Sequence, residues 1–195
     1  STLAIMTKLG MTKTDAYNSI RYSLFCGEPL PVSLAKQWQL AARNSRLINL
    51  YGPTEATIAC SAHEFNENHD YQSTYLPIGK AFPHMSFSQS ESEELVINGP
   101  QVFAGYLNNP CKTNESLKLF DGALSYFSGD IVAKQQNGEF IYLSRKDDQV
   151  KIQGFRVELS EIDALVQSFL NNPLVKSVAT PKHMPKTITL FICDT

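Results

Sequence analysis

The sequence predicts a mixed α/β (α+β) chain in three stretches: the end of a parallel-sheet subdomain, a β-barrel-like subdomain, and the start of a small α+β C-terminal domain. Three observations predict it. Apolar strand, amphipathic helix and apolar strand follow one another in the first third, the rhythm of a parallel βαβ unit. From Leu76 the apolar pieces become short and are bounded by Gly, Asn and Pro, as in meander or barrel-like β structure. The last third returns to mixed strand and helix character. The expected divisions are 1–146, split into a 1–75 α/β piece and a 76–146 β-rich piece, and 147–195 as a hinge followed by a truncated small domain.

The first strand is RYSLF, running into Cys26, Gly27 and Glu28, and Pro29 and Pro31 break it. Val32 to Arg43 reads as an amphipathic helix with Leu34, Trp38 and Ala41 on one side. A second strand, Leu47 to Leu50, delivers the chain to Tyr51 and Gly52. The pieces LPIG, EELVING, GYLNNP and SYFSGDIVAK follow, and QNG at Gln136 to Gly138 signals a hairpin into EFIYLSR. DDQVKIQGFRVEL reads as a strand pair turning at Gln153 and Gly154. Ser160 with Asp163 three residues on reads as a capping box opening a helix through Phe169, which Asn171 to Pro173 stops. VKSVAT and TITLFICDT are two further strands.

Composition narrows the function classes. With 195 residues and 43% hydrophobic content, the chain can bury roughly 70% of its unfolded surface, and an 18% charged share is too low for a disordered tail. Seventeen Lys plus Arg, set singly among 19 Asp plus Glu, make no basic patch, so nucleic acid is not an expected partner. No apolar run approaches the ~20 residues of a membrane span. The opening STLAIMTKLGM lacks a basic leader and a small-residue cleavage site, so the expected location is cytoplasmic. Cys26, Cys60, Cys111 and Cys193 include no CxxC pair; neither zinc nor a disulfide framework is expected, and the thiols are expected reduced and mostly buried. His63, His69, His84 and His183 show no ligand spacing.

Two stretches carry chemistry. In NLYGPTEATIAC, Asn49 to Cys60, a strand ends in an aromatic ring, Gly52 and Pro53 turn the chain, and a hydroxyl and a carboxylate follow. That is the carboxyl end of a parallel strand, where α/β proteins bind ligands. Tyr51 can lie against a base, Thr54 can donate to a phosphate oxygen, and Glu55 can hold Mg²⁺ beside phosphate oxygens. A plain turn with a solvated Glu55 fits the same residues. In the second stretch, Tyr126 to Asp163, Asp130 follows a Ser-Gly turn, where a carboxylate can accept both hydrogen bonds of a ribose diol. Arg145 ends a hairpin strand and can reach the same sugar or a phosphate with its planar fork.

Taken with FCGEPLP at Phe25 to Pro31, LPIGKAF at Leu76 to Phe82 and EELVINGPQVFAGYL at Glu93 to Leu107, these motifs resemble, in order, the adenylate-forming superfamily. FCGE, YGPTEAT and GYL are most similar to amino-acid adenylation domains and D-alanine to carrier-protein ligases. The resemblance implies adenylation of a carboxylic or amino acid by ATP with pyrophosphate release, then acyl transfer to a phosphopantetheine thiol, on an acyl carrier protein or coenzyme A. It implies Gly27, Glu28 and Pro29 beside the adenine, Asn49 on its exocyclic amine, and Tyr51 and Gly52 at its face. Thr54 would meet the α-phosphate, Glu55 the Mg²⁺, Asp130 the ribose hydroxyls, and Arg145 the ribose or phosphate. Cys26, Leu50, Ile58 and Ala59 would wall the acid's pocket, although a merely buried thiol explains Cys26 equally and ordinary packing explains the other three as well. Asp147 matches the hinge, and Lys151, Gly154 and Arg156 the strand pair that approaches the thiol tunnel; a solvated hairpin face explains Lys151 and Arg156 equally.

The chain departs from the family's pattern in four places. The upstream phosphate loop and the C-terminal lysine are missing, so the chain is expected to be a fragment, inactive by itself in adenylation. Ser144 stands where the family has glycine, with an expected restriction of the local turn. SFSQSESEEL is short, so one β hairpin is expected to be trimmed. A noncatalytic nucleotide-binding or interaction module derived from such an enzyme is the alternative.

Overall fold

In the computed structural model, residues 2–152, 155–181 and 187–193 are described, and they divide into two compact units, Ser1–Ser144 and Arg145–Thr195. Gly154 and His183 lie outside the described residues.

The first unit opens with α1 (Thr2–Lys8), β1 (Tyr22–Phe25), α2 (Val32–Ala41) and β2 (Arg46–Tyr51). β1 and β2 pair in parallel from Tyr22↔Arg46 to Phe25↔Asn49, with α2 as the crossover, as the strand–helix–strand pattern requires. α2 buries Ala35, Trp38 and Ala41, whereas Leu34 of the expected stripe is only half-buried and Leu40 is exposed. The reason is the indole: Trp38 Nε1 donates to Ser23 Oγ at 2.7 Å, and Ser23 pairs with Ser45 at 2.7 Å, which rotates the helix to bury the polar edge of the ring with a partner. Leu3, Leu30, Leu47, Phe65 and Leu76 complete this core.

After a single 3₁₀ turn (Thr54–Ala56) the chain returns as β3 (Ser61–Glu64) and β4 (Lys80–Ala81), completing the sheet order β1-β2-β3-β4. β5 (Ser86–Gln89) and β6 (Glu94–Asn98) come next, then α3 (Pro110–Ser116), β7 (Leu117–Phe120), β8 (Ala123–Lys134) and β9 (Phe140–Arg145). These five strands form an open sheet, β5-β6-β8-β7 with β9 on β8, and not a closed barrel. The β8–β9 hairpin turns at the expected QNG, where Gly138 takes φ +81°. The SFSQSESEEL stretch forms a hairpin: β5 pairs with β6 across a short turn closed by Ser90 N–H to Glu94 O at 3.0 Å. Ser144 continues β9, so there is no turn there for it to restrict. A second core of Cys60, Ile78, Leu95, Ile97, Tyr126 and Phe140, among others, lies under this sheet.

The second unit holds the antiparallel pairs β10 (Gln149–Ile152) with β11 (Phe155–Glu158) and β12 (Val175–Thr180) with β13 (Thr187–Ile192), and α4 (Leu159–Leu170) between them. Asn171 ends α4 in the left-handed conformation, φ 48°. The capping box is not formed. Glu158 takes the N-cap position, without a side-chain cap, and Ser160 already lies inside the helix. Asp163 instead faces β12, accepting from Ser177 N–H at 2.5 Å and Lys176 Nζ at 3.0 Å. Tertiary partners outcompete a local cap because they satisfy a buried backbone donor.

Hydrogen bonding to Ser177 lowers the Asp163 carboxyl against the burial that raises it, and Lys176 adds to the lowering. A carboxyl depressed on folding contributes stability above its unfolded pKa and loses it as pH falls through the folded value. Asp163→Asn is therefore expected to weaken α4 and β12 at pH 7, with the gap from wild type closing once pH drops below about 4. Amide exchange of the two elements, measured at both pH values, checks this.

Candidate functional site

Tyr51, the last residue of β2, donates its phenol hydrogen to Asp130 Oδ2 on β8. Residues 79 positions apart in sequence are thus in direct contact. Asp130 is aimed there by a bulge. Glu94 pairs with Ile131 and Val96 with Phe127, so β8 carries two more residues than β6 over this stretch. Gly129 adopts φ +74°, its N–H donates to Glu94 Oε1 at 2.9 Å, and Ser128 Oγ donates to Leu95 O at 2.8 Å while accepting from Asp130 N–H at 3.1 Å. The Ser-Gly pair thereby satisfies the polar groups the bulge exposes and turns out the following carboxylate. Burial, and then Asp130, push the Tyr51 phenol well above its ordinary range, so it is a donor at neutral pH.

The loop after β2 folds back on itself. A Cβ on Gly52 would lie 2.6 Å from Ala59 Cα, so only glycine permits this approach. Thr57 and Ile58 both take left-handed φ, 56° and 67°, and Ala59 N–H donates to Thr57 O at 2.8 Å across Ile58. That is the rarer, positive-φ γ-turn, strained at a β-branched residue. The 99–106 segment holds the strained loop in place: Thr57 Oγ1 donates to Gln101 O at 2.8 Å and Gln101 Nε2 to Ala59 O at 3.1 Å.

Glu55 lies in the 3₁₀ turn and is only 5% exposed. Phe103 N–H donates to its backbone carbonyl at 2.8 Å, and Tyr106 Oη donates to Oε1 at 2.6 Å. Burial, and then the Glu55 hydrogen bond, push the Tyr106 phenol up.

The other expected positions fall as follows. Asn49 is buried on β2 and donates Nδ2 to Pro77 O at 2.8 Å, which turns the acceptor end of the amide, Oδ1, away from that carbonyl. Gly27 makes the turn after β1 at φ +97°, followed by half-buried Glu28 and Pro29. Thr54 and Ile58 are exposed, and Leu50 and Ala59 half-buried. Cys26 Sγ lies 3.8 Å from Ile58 O, which joins FCGE to the loop after Glu55. The expectation of mostly buried thiols fails: Cys26, Cys111 and Cys193 are exposed and only Cys60 is buried. Burial, with Cys26 and Asp130 nearby, pushes the Cys60 thiol up to about 12.

In the second unit, Arg145 grips Asp147 with both arms of its fork, Nε to Oδ1 at 2.9 Å and an Nη to Oδ2 at 2.5 Å. Burial raises the Asp147 carboxyl, and the Arg145 hydrogen bond and charge outweigh it, for a net lowering. Arg156 donates Nε to Gln149 Oε1 at 2.6 Å, and Lys151 is exposed on the same hairpin. Among the described residues no group of three or more His, Cys, Asp or Glu is arranged to hold a metal ion, and no helix is long and apolar enough to cross a membrane.

The family model described as AMP-binding enzyme matches residues 2–107, more than half of the chain. The chain belongs to the AMP-binding enzyme family. In this adenylate-forming superfamily, the chain is 36% identical over 176 residues to a D-alanine--D-alanyl carrier protein ligase of Streptococcus pyogenes, a match covering 85% of this chain and 34% of that protein. The chain therefore spans about a third of the length of the curated relatives it matches. Among solved structures, it superposes on the Vibrio cholerae adenylation domain AlmE in complex with glycyl-adenosine-5'-phosphate with a TM-score of 0.87 at 35% identity, over 97% of this chain and 39% of that one. An NRPS protein containing adenylation and PCP domains matches with a TM-score of 0.72 at 26% identity, over 87% of this chain and 37% of that one.

Sequence reasoning on this member of the AMP-binding enzyme family missed Tyr106 as a partner of Glu55. His63, which has no ligand spacing, is a buried structural residue that bridges Glu139 Oε1 (2.9 Å from Nδ1) and the Tyr71 hydroxyl (3.0 Å from Nε2). The signal for Tyr106 was already within GYL; nothing local marks the partners of His63, which come from the loop after β3 and the turn before β9.

Proposed function

We propose that the protein activates a small amino acid, such as D-alanine or glycine, with ATP as the acyl adenylate, and then passes the acyl group to the phosphopantetheine thiol of a carrier protein. Coenzyme A is the alternative holder of that thiol. The observation that carries the reading is the contact of Tyr51 with Asp130 at the carboxyl end of a parallel strand, four residues before the buried carboxylate of Glu55. The carrier-protein ligase and adenylation-domain relatives supply its direction.

In this reading Asn49 Oδ1 accepts from the adenine amino group, and the Tyr51 ring lies along the base with Gly52 and Gly27 to Pro29 around it. Asp130 accepts both ribose hydroxyls, and Thr54 donates to the α-phosphate. Arg145 serves the ribose or phosphate, and Asp147 the hinge between the half-reactions. Lys151, Gly154 and Arg156 form the approach to the thiol. Cys26, Leu50, Ile58 and Ala59 wall the acid pocket; a thiol beside the strained Ile58 turn suits a substrate no larger than alanine.

The residues present also fit Mg²⁺. That ion usually takes one or two carboxylates beside nucleotide phosphates and keeps its waters, and Glu55 provides one such hard oxygen ligand without a protein cage. When bound it would offset negative charge on the phosphates as the substrate carboxylate approaches. The protein's own part is positioning: the carboxylate oxygen attacks the α-phosphorus in line, the bond to pyrophosphate breaks, and donors set beforehand offset the meeting of two anions. Thiolate sulfur then attacks the acyl carbonyl and AMP leaves. A cytoplasmic location follows from the need for ATP.

Amino-acid-dependent exchange of pyrophosphate into ATP by the full-length protein tests the proposal. Exchange with D-alanine or glycine well above that with bulky amino acids is expected. AMP binding without exchange would instead support the noncatalytic module, and neither activity would overturn both readings.

A further inference from the structure

Tyr106 touches Glu55 and lies in the GYL motif, to which the resemblance assigns no nucleotide contact. A buried carboxylate without fixed donors would sample several rotamers, and one that holds a cation is usually hydrogen-bonded itself. Glu55 is held at two levels: its backbone carbonyl accepts from Phe103 N–H at 2.8 Å, and its Oε1 from Tyr106 Oη at 2.6 Å. The phenol is in turn immobilised. Tyr106 N–H donates to Thr113 Oγ1 at 2.9 Å, its ring meets Phe103 at 4.8 Å between centroids and 72°, and Lys112 Nζ lies 5.4 Å from the ring centre. Gly105 at φ +140° lets the backbone pass where a Cβ would sit 2.7 Å from Thr113 Cγ2. A rigid line of contacts thus runs from the start of α3 through Tyr106 to the carboxylate.

We propose that Tyr106 is a positioning residue whose phenol holds the Glu55 carboxylate in the orientation that takes a divalent cation bound to nucleotide phosphates. This rests on the reading of Glu55 as the cation's protein ligand. Phe103 packs the ring whether or not it carries a hydroxyl, so Tyr106→Phe removes the hydrogen bond and keeps the contact. The test is Mn²⁺ binding to the full-length protein, followed by electron paramagnetic resonance with α,β-methylene-ATP present, for wild type, Tyr106→Phe, Glu55→Gln and the double variant.

Tyr106→Phe is expected to weaken Mn²⁺ binding about ten-fold, the low end for loss of a ligand's supporting contact. Glu55→Gln is expected to weaken it more, and the double variant no further than Glu55→Gln alone. Wild-type Mn²⁺ affinity in Tyr106→Phe, with Glu55→Gln impaired, overturns the role of Tyr106 and leaves Glu55 standing. Wild-type affinity in Glu55→Gln overturns the underlying reading. Should Tyr106→Phe fail to fold, Thr113→Val, which keeps the phenol but frees the Tyr106 backbone, is expected to shift Mn²⁺ affinity in the same direction by less, and an unchanged value overturns the proposal.

Discussion

Gly79→Ala is expected to cost on the order of 4 kcal/mol of stability, the sum of a left-handed backbone forced on a Cβ and an overlap that neither strand can relieve. Gly79 has φ +82°, and an added Cβ would lie 1.9 Å from Ala62 O, 2.2 Å from Ala62 C and 2.6 Å from His63 N, all backbone atoms. The position joins the two sheets of the first unit: Ile78 N–H donates to Phe140 O at 2.8 Å and Phe140 N–H to Gly79 O at 3.1 Å. Moving Gly79 out of the clash therefore breaks one sheet or the other. Gly122→Ala is the control, with nearly the same φ, +81°, and nothing within 4 Å of the added Cβ, so only the conformational cost of about 1–2 kcal/mol is expected there. Urea denaturation of the two variants side by side separates strain from overlap. Equal losses would show that the junction yields.

Asp130→Ala is expected to weaken AMP binding by the full-length protein at least about 100-fold, since two hydrogen bonds to a charged acceptor are worth roughly 1.5–3 kcal/mol each. The same change removes the acceptor of the buried Tyr51 phenol and is expected to cost about 1–3 kcal/mol of stability besides. Tyr51→Phe divides the two effects: it leaves the ring for the base and the carboxylate for the sugar, so a loss in stability with a much smaller loss in AMP affinity is expected. Calorimetric titration with AMP alongside thermal unfolding reads both quantities. If Asp130→Ala binds AMP as wild type does, the carboxylate serves Tyr51 and not a ribose.

Local pattern made much of this fold legible. Strand YSLF, the helix from Val32 and strand RLINLY had period and breakers enough to imply a parallel pair, and Gly138 marked its hairpin by the one conformation glycine takes readily. The motif residues Tyr51 and Asp130 could be named as neighbours only through the family resemblance, because no periodicity connects residues that far apart. What stayed hidden was decided by tertiary competition. Asp163 carried the spacing of a cap but found a better donor in Ser177, and Leu34 carried the apolarity of a core residue but lost its place to the indole of Trp38 and the hydroxyl it needed. Tyr106 stood in the GYL motif with no role assigned to it, since its use depends on where the loop after β6 lies over Glu55. Ser160 and Ser144 were each judged by identity when the surrounding helix or strand had already settled their conformation.

The bulge at Ser128 and Gly129 has a consequence for chain length as well as for chemistry. Side chains along a strand alternate between faces, so deleting one residue there would send Asp130 to the opposite side and carry Val132 out of the core with it. A spliced-in tag is tolerable in the Gln135–Gly138 connection, where the added backbone meets solvent, whereas between Phe127 and Ile131 the number of residues is as fixed as their identity.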